Sequence, residues 1–560
     1  MTPDQTLLDR LKDQPIVTPK RVAKGAALDR AAQICLFFLL LVVPFEPRFT
    51  LPLGPFHLSL VEAVALPCFA VLSARALSQG FRGQRSASLV ALALMFAVSL
   101  VSAGLAATGG ALKFALRLGA MTTFAHLVSR CSERQLKWGF RALVASGGCA
   151  AVLALLEGLG VPSIDVLLGA FREIPYNVAG VRRATAGSEY PNLGAGMILY
   201  ALLAGAALGP SSLLARAGFV LLLTSGLAFT YSRGAWVAGL VGLLMLSWFE
   251  RGRARFVPAA LYALSLTLFV GGEEISQVRL GGEYANDFYA ATYKSPRQMA
   301  MDSNARVVVP VTVRNVGRRP WRKTDQIHLS YHLYENAGRP LVDGPRTDLS
   351  RDVMPGESIT LEAVLRAPLK EGEYLLMWDL VHEDVTWFSG QGVRPGVARL
   401  IVGNTAAAVP AISEAQGLKA VPEPLAWRPS RLELWRIALR MWGANPFFGV
   451  GPDNFRRTYG TVAGKSAFDS RVYANNVFLE LASTLGTFGL AAFCVAVAFS
   501  LASGWRAALL SPTSRAALAI LVAMMVHGLV DYLFAFTGHY LVFGFVVGTL
   551  ARDLSSQRPQ

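Results

Sequence analysis

The chain alternates long apolar runs with short polar connections, and one stretch breaks that rhythm. Runs close to the ~20 residues that cross a bilayer fall near 32–46, 57–77, 87–106, 110–129, 138–160, 190–209, 213–231, 234–250, 256–272, 474–502, 514–535 and 537–552. They predict about twelve membrane-spanning helices, the fourth of them weak. Between 273 and 425 the apolar period changes from helical to two. Ile327-Leu329-Tyr331-Leu333, Ile359-Leu361-Ala363-Leu365 and Tyr374-Leu376-Trp378-Leu380 each put apolar side chains on one face of a strand.

VVVPVTVRN precedes those strands, ARLIV follows them, and Gly-, Pro- and Asn-rich turns separate them. About seven short strands in roughly a hundred residues predict an immunoglobulin-like β-sandwich. NVGRRPW and GEYLLMWDLVHEDVTWFS resemble pieces of bacterial Ig-like domains on envelope proteins. The chain thus divides into a tail at 1–31, spans over 32–272, the β-insertion with linkers over 273–425, an outer amphipathic helix and loop over 426–473, further spans over 474–552 and a tail at 553–560.

Composition agrees: of 560 residues, 53% are hydrophobic and only 16% charged, which is the range of polytopic membrane proteins. Lys and Arg collect in the N-terminal tail and in alternate connections, such as Arg130, Arg134 and Lys137 or Arg251, Arg253 and Arg255. By the positive-inside rule both termini are cytoplasmic and the β-insertion lies outside. The formal charge of +16 is partly this topology signal, so it is poor ground for nucleic-acid binding. Cys35, Cys68, Cys131, Cys149 and Cys494 lie in or beside spans without CxxC spacing, and read as apolar thiols rather than disulfides or a zinc site.

Candidate chemistry gathers on the outer side. Lys113 and Arg117, one turn apart, lie just inside the outer end of the fourth span, where charge is costly and faces a cavity, a partner or the interface. The loop ending VRRATAGSEYPNLGAGM carries Arg182, Arg183, Glu189, Tyr190 and Asn192, and YSRGAW sets Arg233 in an outer hairpin. For any one of these arginines, loop anchoring or headgroup contact is the plain alternative, but the arginines share one side against the positive-inside pattern. From Arg431 an amphipathic helix (Leu432, Trp435, Ala438, Leu439, Trp442) leads through Asn445-Pro446 to Gly449-Val450-Gly451. Asn475-Asn476 stands at the mouth of the next span, with Asp453 before it and Glu480 just inside. His527 and Asp531 share a helix face, where a packing hydrogen bond is the default and support of a site comes next. His328, His332 and His382 in the β-insertion read as surface polarity, not as a metal site.

Taken in order, RATAGSEYPNLGAG, YSRGAW, RLELWRIALRMWGANPFFGVGPDNF, NNVFLELASTLGTFG and HGLVDY resemble the O-antigen ligase and Wzy-type polymerase superfamily, over about residues 32–272 and 426–552. The resemblance implies a GT-C-like membrane fold in the bacterial inner membrane and a metal-independent glycosyltransferase without cofactors. Its donor would be a glycan on undecaprenyl diphosphate, its acceptor lipid A–core or a growing polysaccharide, with a chain-length regulator as a further partner. Positions that hold the donor diphosphate in the ligases match Arg233 and Arg431; Arg183, Arg117 and Lys113 join them as candidate diphosphate ligands. The family's histidine, which opens HNxxL ahead of a glycine, is here Asn475, followed by Asn476, Leu479 and Gly486. Asn475 cannot take a proton near pH 7. Either another group is the base, with Glu189 the candidate and Asp453 and Glu480 weaker ones, or leaving-group stabilisation carries the reaction while Asn475 only orients the hydroxyl, or this copy is catalytically impaired; Tyr190, Asn192, Asn476, His527 and Asp531 are supporting residues. A lipid-linked saccharide carrier and a non-catalytic envelope scaffold are the alternatives from other classes.

Overall fold

The computed structural model describes residues 19–552 apart from 54–55, 80–85, 162, 173–175, 179–180, 210–211, 251–252, 272–287, 336–339, 384–385, 404–428 and 466–467. The C-terminal tail, most of the N-terminal one and most of the linker before Arg431 lie outside the described residues.

A helix answers each predicted span: α1 (Pro19–Val42), α2 (Leu60–Ser78), α3 (Ala87–Ala106), α4 (Gly109–Val128), α5 (Glu133–Gly158), then a short α6 (Ile164–Leu168), α7 (Pro191–Leu208), α8 (Leu213–Phe229), α9 (Arg233–Phe249) and α10 (Val257–Gly271). After the β-insertion come α11 (Arg431–Ala444), α12 (Phe455–Val462), α13 (Val477–Ala508), α14 (Pro512–Gly528) and α15 (Thr537–Leu550). Among the described residues α2, α3, α5, α7 and α13 are long and apolar enough to cross a membrane by length and composition. This is a helical membrane protein with an inserted β region.

Helix starts follow local chemistry. Ser59 with Glu62 and Ser132 with Gln135 form reciprocal capping boxes on α2 and α5. The bundle packs around α7 and α15, whose residues are buried on nearly every face. A helix apolar all round has no preferred outer side and therefore takes the middle of the assembly.

The β-insertion has two sheets around one core. The larger orders β10 (Thr347–Asp348), β8 (Ile327–Glu335), β12 (Gly372–His382), β14 (Gly396–Val402) and β6 (Gln298–Met301), with β9 (Pro340–Asp343) on β8 and β13 (Thr386–Trp387) on β12. The smaller orders β11 (Ser358–Arg366), β7 (Arg306–Asn315) and β5 (Ala291–Lys294). Registers such as Tyr331 opposite Trp378 and Val311 opposite Leu361 put the alternating apolar faces into a core with Trp321 and Phe388. Ten strands are described here against the seven or so expected, because β5, β6, β9, β10 and β13 are too short for alternation to register.

One join matters for everything outside the membrane. α13 is interrupted at Gly486, with φ 67° and ψ −168°, a region open essentially to glycine alone. The carbonyls and amides freed there bond to the turn after α11. Val450 and Gly451 donate to the Ser483 and Thr484 carbonyls (2.9 and 3.1 Å), and Thr487 and Phe488 donate to those of Pro446 and Phe447 (2.7 and 3.3 Å). Ser102 on α3 donates to both Phe448 and Thr484 carbonyls, at 2.6 and 3.0 Å. The break in one helix is thus the socket for the Pro446–Gly451 turn.

Candidate functional site

Arg183 follows a strand pair, β3 (Asn177–Val178) and β4 (Val181–Arg182), and the two adjacent arginines turn opposite ways. Arg182 pairs with Asp165, and Arg172 with Asp165 and the fully buried Glu157. Glu157 also accepts from the Thr185 amide (2.8 Å) and hydroxyl (3.2 Å). This clamp leaves Arg183 directed the other way. It donates to the Thr230 carbonyl (3.0 Å) and to Asn192 Oδ1 (2.9 Å), with its guanidinium 5.6 Å from the Tyr176 ring centroid.

Asn192 in turn donates to Asp531, which lies 3.9 Å from His527 Nε2. The His527 ring is 3.5 Å from the Ser232 hydroxyl, immediately before Arg233. Burial pulls the Arg183 pKa down, Tyr176 and Asp531 oppose that, and Arg431 and Arg233 add to the fall. For Arg233 burial comes first and Arg431 adds to the same fall. Three segments far apart in sequence thus bring three guanidinium groups within electrostatic reach of one another. Arg233 and Arg431 each open a helix, α9 and α11, so two helix N-termini add their positive ends to the cluster.

Lys113, Arg117, Glu189 and Tyr190 lie elsewhere. They line a cavity of about 390 Å³ with Glu62, Arg456, Arg471 and Tyr473, and none of the three arginines lines it. Arg117 is paired with Glu62 (3.2 Å) and donates to the Ala535 carbonyl. Glu189 is exposed to the cavity. Burial first, then the Glu189 carboxylate, raises the Tyr190 phenol pKa.

Asn475 adopts φ 51°, a left-handed conformation that asparagine tolerates. Its neighbours hold it in place. The Ala474 amide donates to the buried Glu480 (2.8 Å). Asn476 caps α13, accepting from the Phe478 and Leu479 amides at 3.0 Å, and donates to the Leu529 carbonyl at 2.8 Å. Asp453 is taken by a two-pronged pair with Arg456 (2.6 and 2.7 Å) and by the Tyr473 hydroxyl. Of the three carboxylates considered as base, Glu480 is buried and Asp453 is nearly so, each with internal partners, whereas Glu189, bonded to Tyr190, is the one exposed to the cavity.

Sequence reasoning missed Glu157, Arg172, Tyr176, Glu62, Arg456 and Arg471. Glu157 was the most findable: a carboxylate closing an apolar span, in reach of a loop with three arginines. In the β-insertion His328 and His332 do meet carboxylates, Asp348 and Asp343 (2.8 and 2.7 Å), which adjoining strands supply. Among the described residues no group of three or more His, Cys, Asp or Glu is arranged to hold a metal.

Residues 406–494 match the family model described as O-antigen ligase. The matched stretch takes in α11 with Arg431, the turn, α12, Asn475 and the break at Gly486; Arg183 and Arg233 lie before it. The match covers 89 of the 560 residues and, over that stretch, supports the resemblance to the O-antigen ligase and Wzy-type polymerase superfamily. No curated protein matches the chain.

Proposed function

We propose that the chain is a glycosyltransferase that moves a saccharide from undecaprenyl diphosphate to an acceptor hydroxyl at the periplasmic face of the inner membrane. The observation that carries this reading is Arg183, held by Asn192 and through it by Asp531, lying within electrostatic reach of Arg233 and Arg431. In the transfer, the acceptor oxygen bonds to the anomeric carbon as that carbon's bond to the diphosphate oxygen breaks. The electron pair leaves on the diphosphate, where charge grows most. Cations set beside the leaving group stabilise that charge. Guanidinium forks suit it because they stay charged and take phosphate oxygens in pairs.

The acceptor's proton goes to Glu189, the carboxylate open to the cavity, while Asn475 orients the hydroxyl. Lys113 and Arg117 then serve the acceptor side rather than the diphosphate. The outer β-insertion recruits acceptor or a chain-length regulator. Lipid A–core as acceptor makes the protein a ligase, and a growing polysaccharide makes it a polymerase. Asn475 in place of histidine favours one competing reading, an envelope scaffold without turnover.

One experiment separates these readings. Proteoliposomes receive synthetic undecaprenyl-diphosphate oligosaccharide with either lipid A–core or a second donor as acceptor, in EDTA. Wild type forms product, and Arg233→Ala or Arg431→Ala lowers the rate by about 10²–10³, the usual cost of one charge-stabilising donor. Failure of wild type with both acceptors sinks the proposal; donor crossing the vesicle without a new bond points to a carrier.

A further inference from the structure

At the opposite end of the bundle, α5 carries Lys137 and Arg141 one turn apart on an exposed face. Both line a recess of about 300 Å³, walled otherwise by Ala207, Leu208 and Gly209 at the end of α7 and by Pro512 at the start of α14. Among the described residues no carboxylate lines it and neither cation has an ion-pair partner. Three other cations at this end are paired with carboxylates, Arg75 with Asp29, Arg216 with Glu250 and Arg552 with Glu133. Trp138 sits between the two basic residues in sequence, its ring 5.3 Å from the Arg141 guanidinium and 5.8 Å from the Phe37 ring. Tryptophan at the end of an apolar helix marks the headgroup level. Arg141 and Glu157 are separated along α5 by about 24 Å of helix, so the recess lies near the bilayer face away from the arginine cluster.

We propose that this recess binds the head group of an anionic phospholipid. Its phosphate lies between Lys137 and Arg141, and its acyl chains descend beside Ala207 and Leu208. A phosphate in solution shares the charge chemistry but has no use for the apolar half of the wall, so the lipid is the source assigned. Basic recesses between helices on the cytoplasmic side suit such head groups. The inference rests on the membrane placement of α5 and is independent of the transfer reaction.

The test is native mass spectrometry of the purified full chain titrated with phosphatidylglycerol or phosphatidylcholine. Wild type retains phosphatidylglycerol preferentially. Lys137→Gln/Arg141→Gln weakens that retention roughly 30-fold, about fivefold for each cation near an anionic lipid surface. Arg134→Gln, on the same helix but outside the recess, leaves it unchanged, and millimolar inorganic phosphate does not displace the lipid. Equal retention of both lipids, a double variant that binds like wild type, an equal loss in Arg134→Gln, or displacement by inorganic phosphate each overturns the proposal.

Discussion

Gly486→Ala tests the join between α11 and α13. At this position a methyl group overlaps the Phe447 carbonyl and lies within 2.5 Å of the Phe448 nitrogen. These are backbone atoms that no rotamer change can move aside. The backbone at φ 67° and ψ −168° costs a non-glycine residue about 1–3 kcal/mol by itself. Relieving the overlap pushes the Pro446–Gly451 turn off α13 and releases two to four of the hydrogen bonds there, each worth about 1 kcal/mol net. The expected loss is about 3–7 kcal/mol locally, concentrated on the segment that holds Arg431. Thermal unfolding in detergent and glycan transfer in proteoliposomes should therefore both suffer, with transfer falling at least tenfold even where the bundle stays folded. Gly443→Ala is the control: it lies in α11 with nothing within 4 Å of an added methyl, and should gain about 1 kcal/mol from helix propensity. A Gly486→Ala protein with wild-type melting and wild-type transfer would falsify the account of the socket.

Three further outcomes are expected. Asn475→His should add a base beside the acceptor hydroxyl and raise turnover as pH rises past about 6.5, since histidine also accepts left-handed backbone; a flat or lower pH–rate profile would show that this position does not face the acceptor hydroxyl. Glu157→Gln should cost about 3–5 kcal/mol, because it strips a carboxylate from the buried Arg172 and frees the Arg183 loop; a melting point unchanged within a degree would show that Asp165 alone suffices. For the β-insertion, burial depresses the His332 pKa, but the Asp379 carboxylate 3.8 Å from Nε2 and the Asp343 carboxylate bonded to Nδ1 outweigh it, and the net shift is upward. A raised histidine stabilises fully below its ordinary value near 6.5 and loses that contribution as pH climbs through the folded value. Melting of the β region, read by tryptophan fluorescence, should thus be higher at pH 5.5 than at pH 8.5, and His332→Gln should flatten the difference.

The helices were legible because apolar run length is a one-dimensional signal, and the bilayer sets the length. The long strands were legible for a similar reason, their alternation being local. The two-way split of the outer cations was not. Arg183 and Arg117 read alike along the chain, and only the Asn192–Asp531 bond and the Glu62 pair, each formed across many helices, send them to different places. Asn476 illustrates a partial reading. An asparagine directly before an apolar helix signals a cap, and it caps α13, yet beside Asn475 it looked like chemistry. Gly486 stood out by its distance from Asn475, but what the spacing does became visible only with the turn lodged against it.

The length of α13 has one more consequence. Its 32 residues would run about 48 Å if straight, against a hydrocarbon layer of about 30 Å. The part above the break, Val477 to Leu485, rises at most about 13 Å, roughly the depth of a headgroup layer plus one sugar ring. The stub therefore behaves as a height gauge. On the proposed transfer it would hold Asn475 at the level where a lipid-borne pyrophosphate meets its first saccharide, whatever hydrocarbon chain lies underneath. Selection of substrate by elevation, not by lipid shape, would let such a protein tolerate tails of varied length while rejecting glycans that sit too close to the membrane.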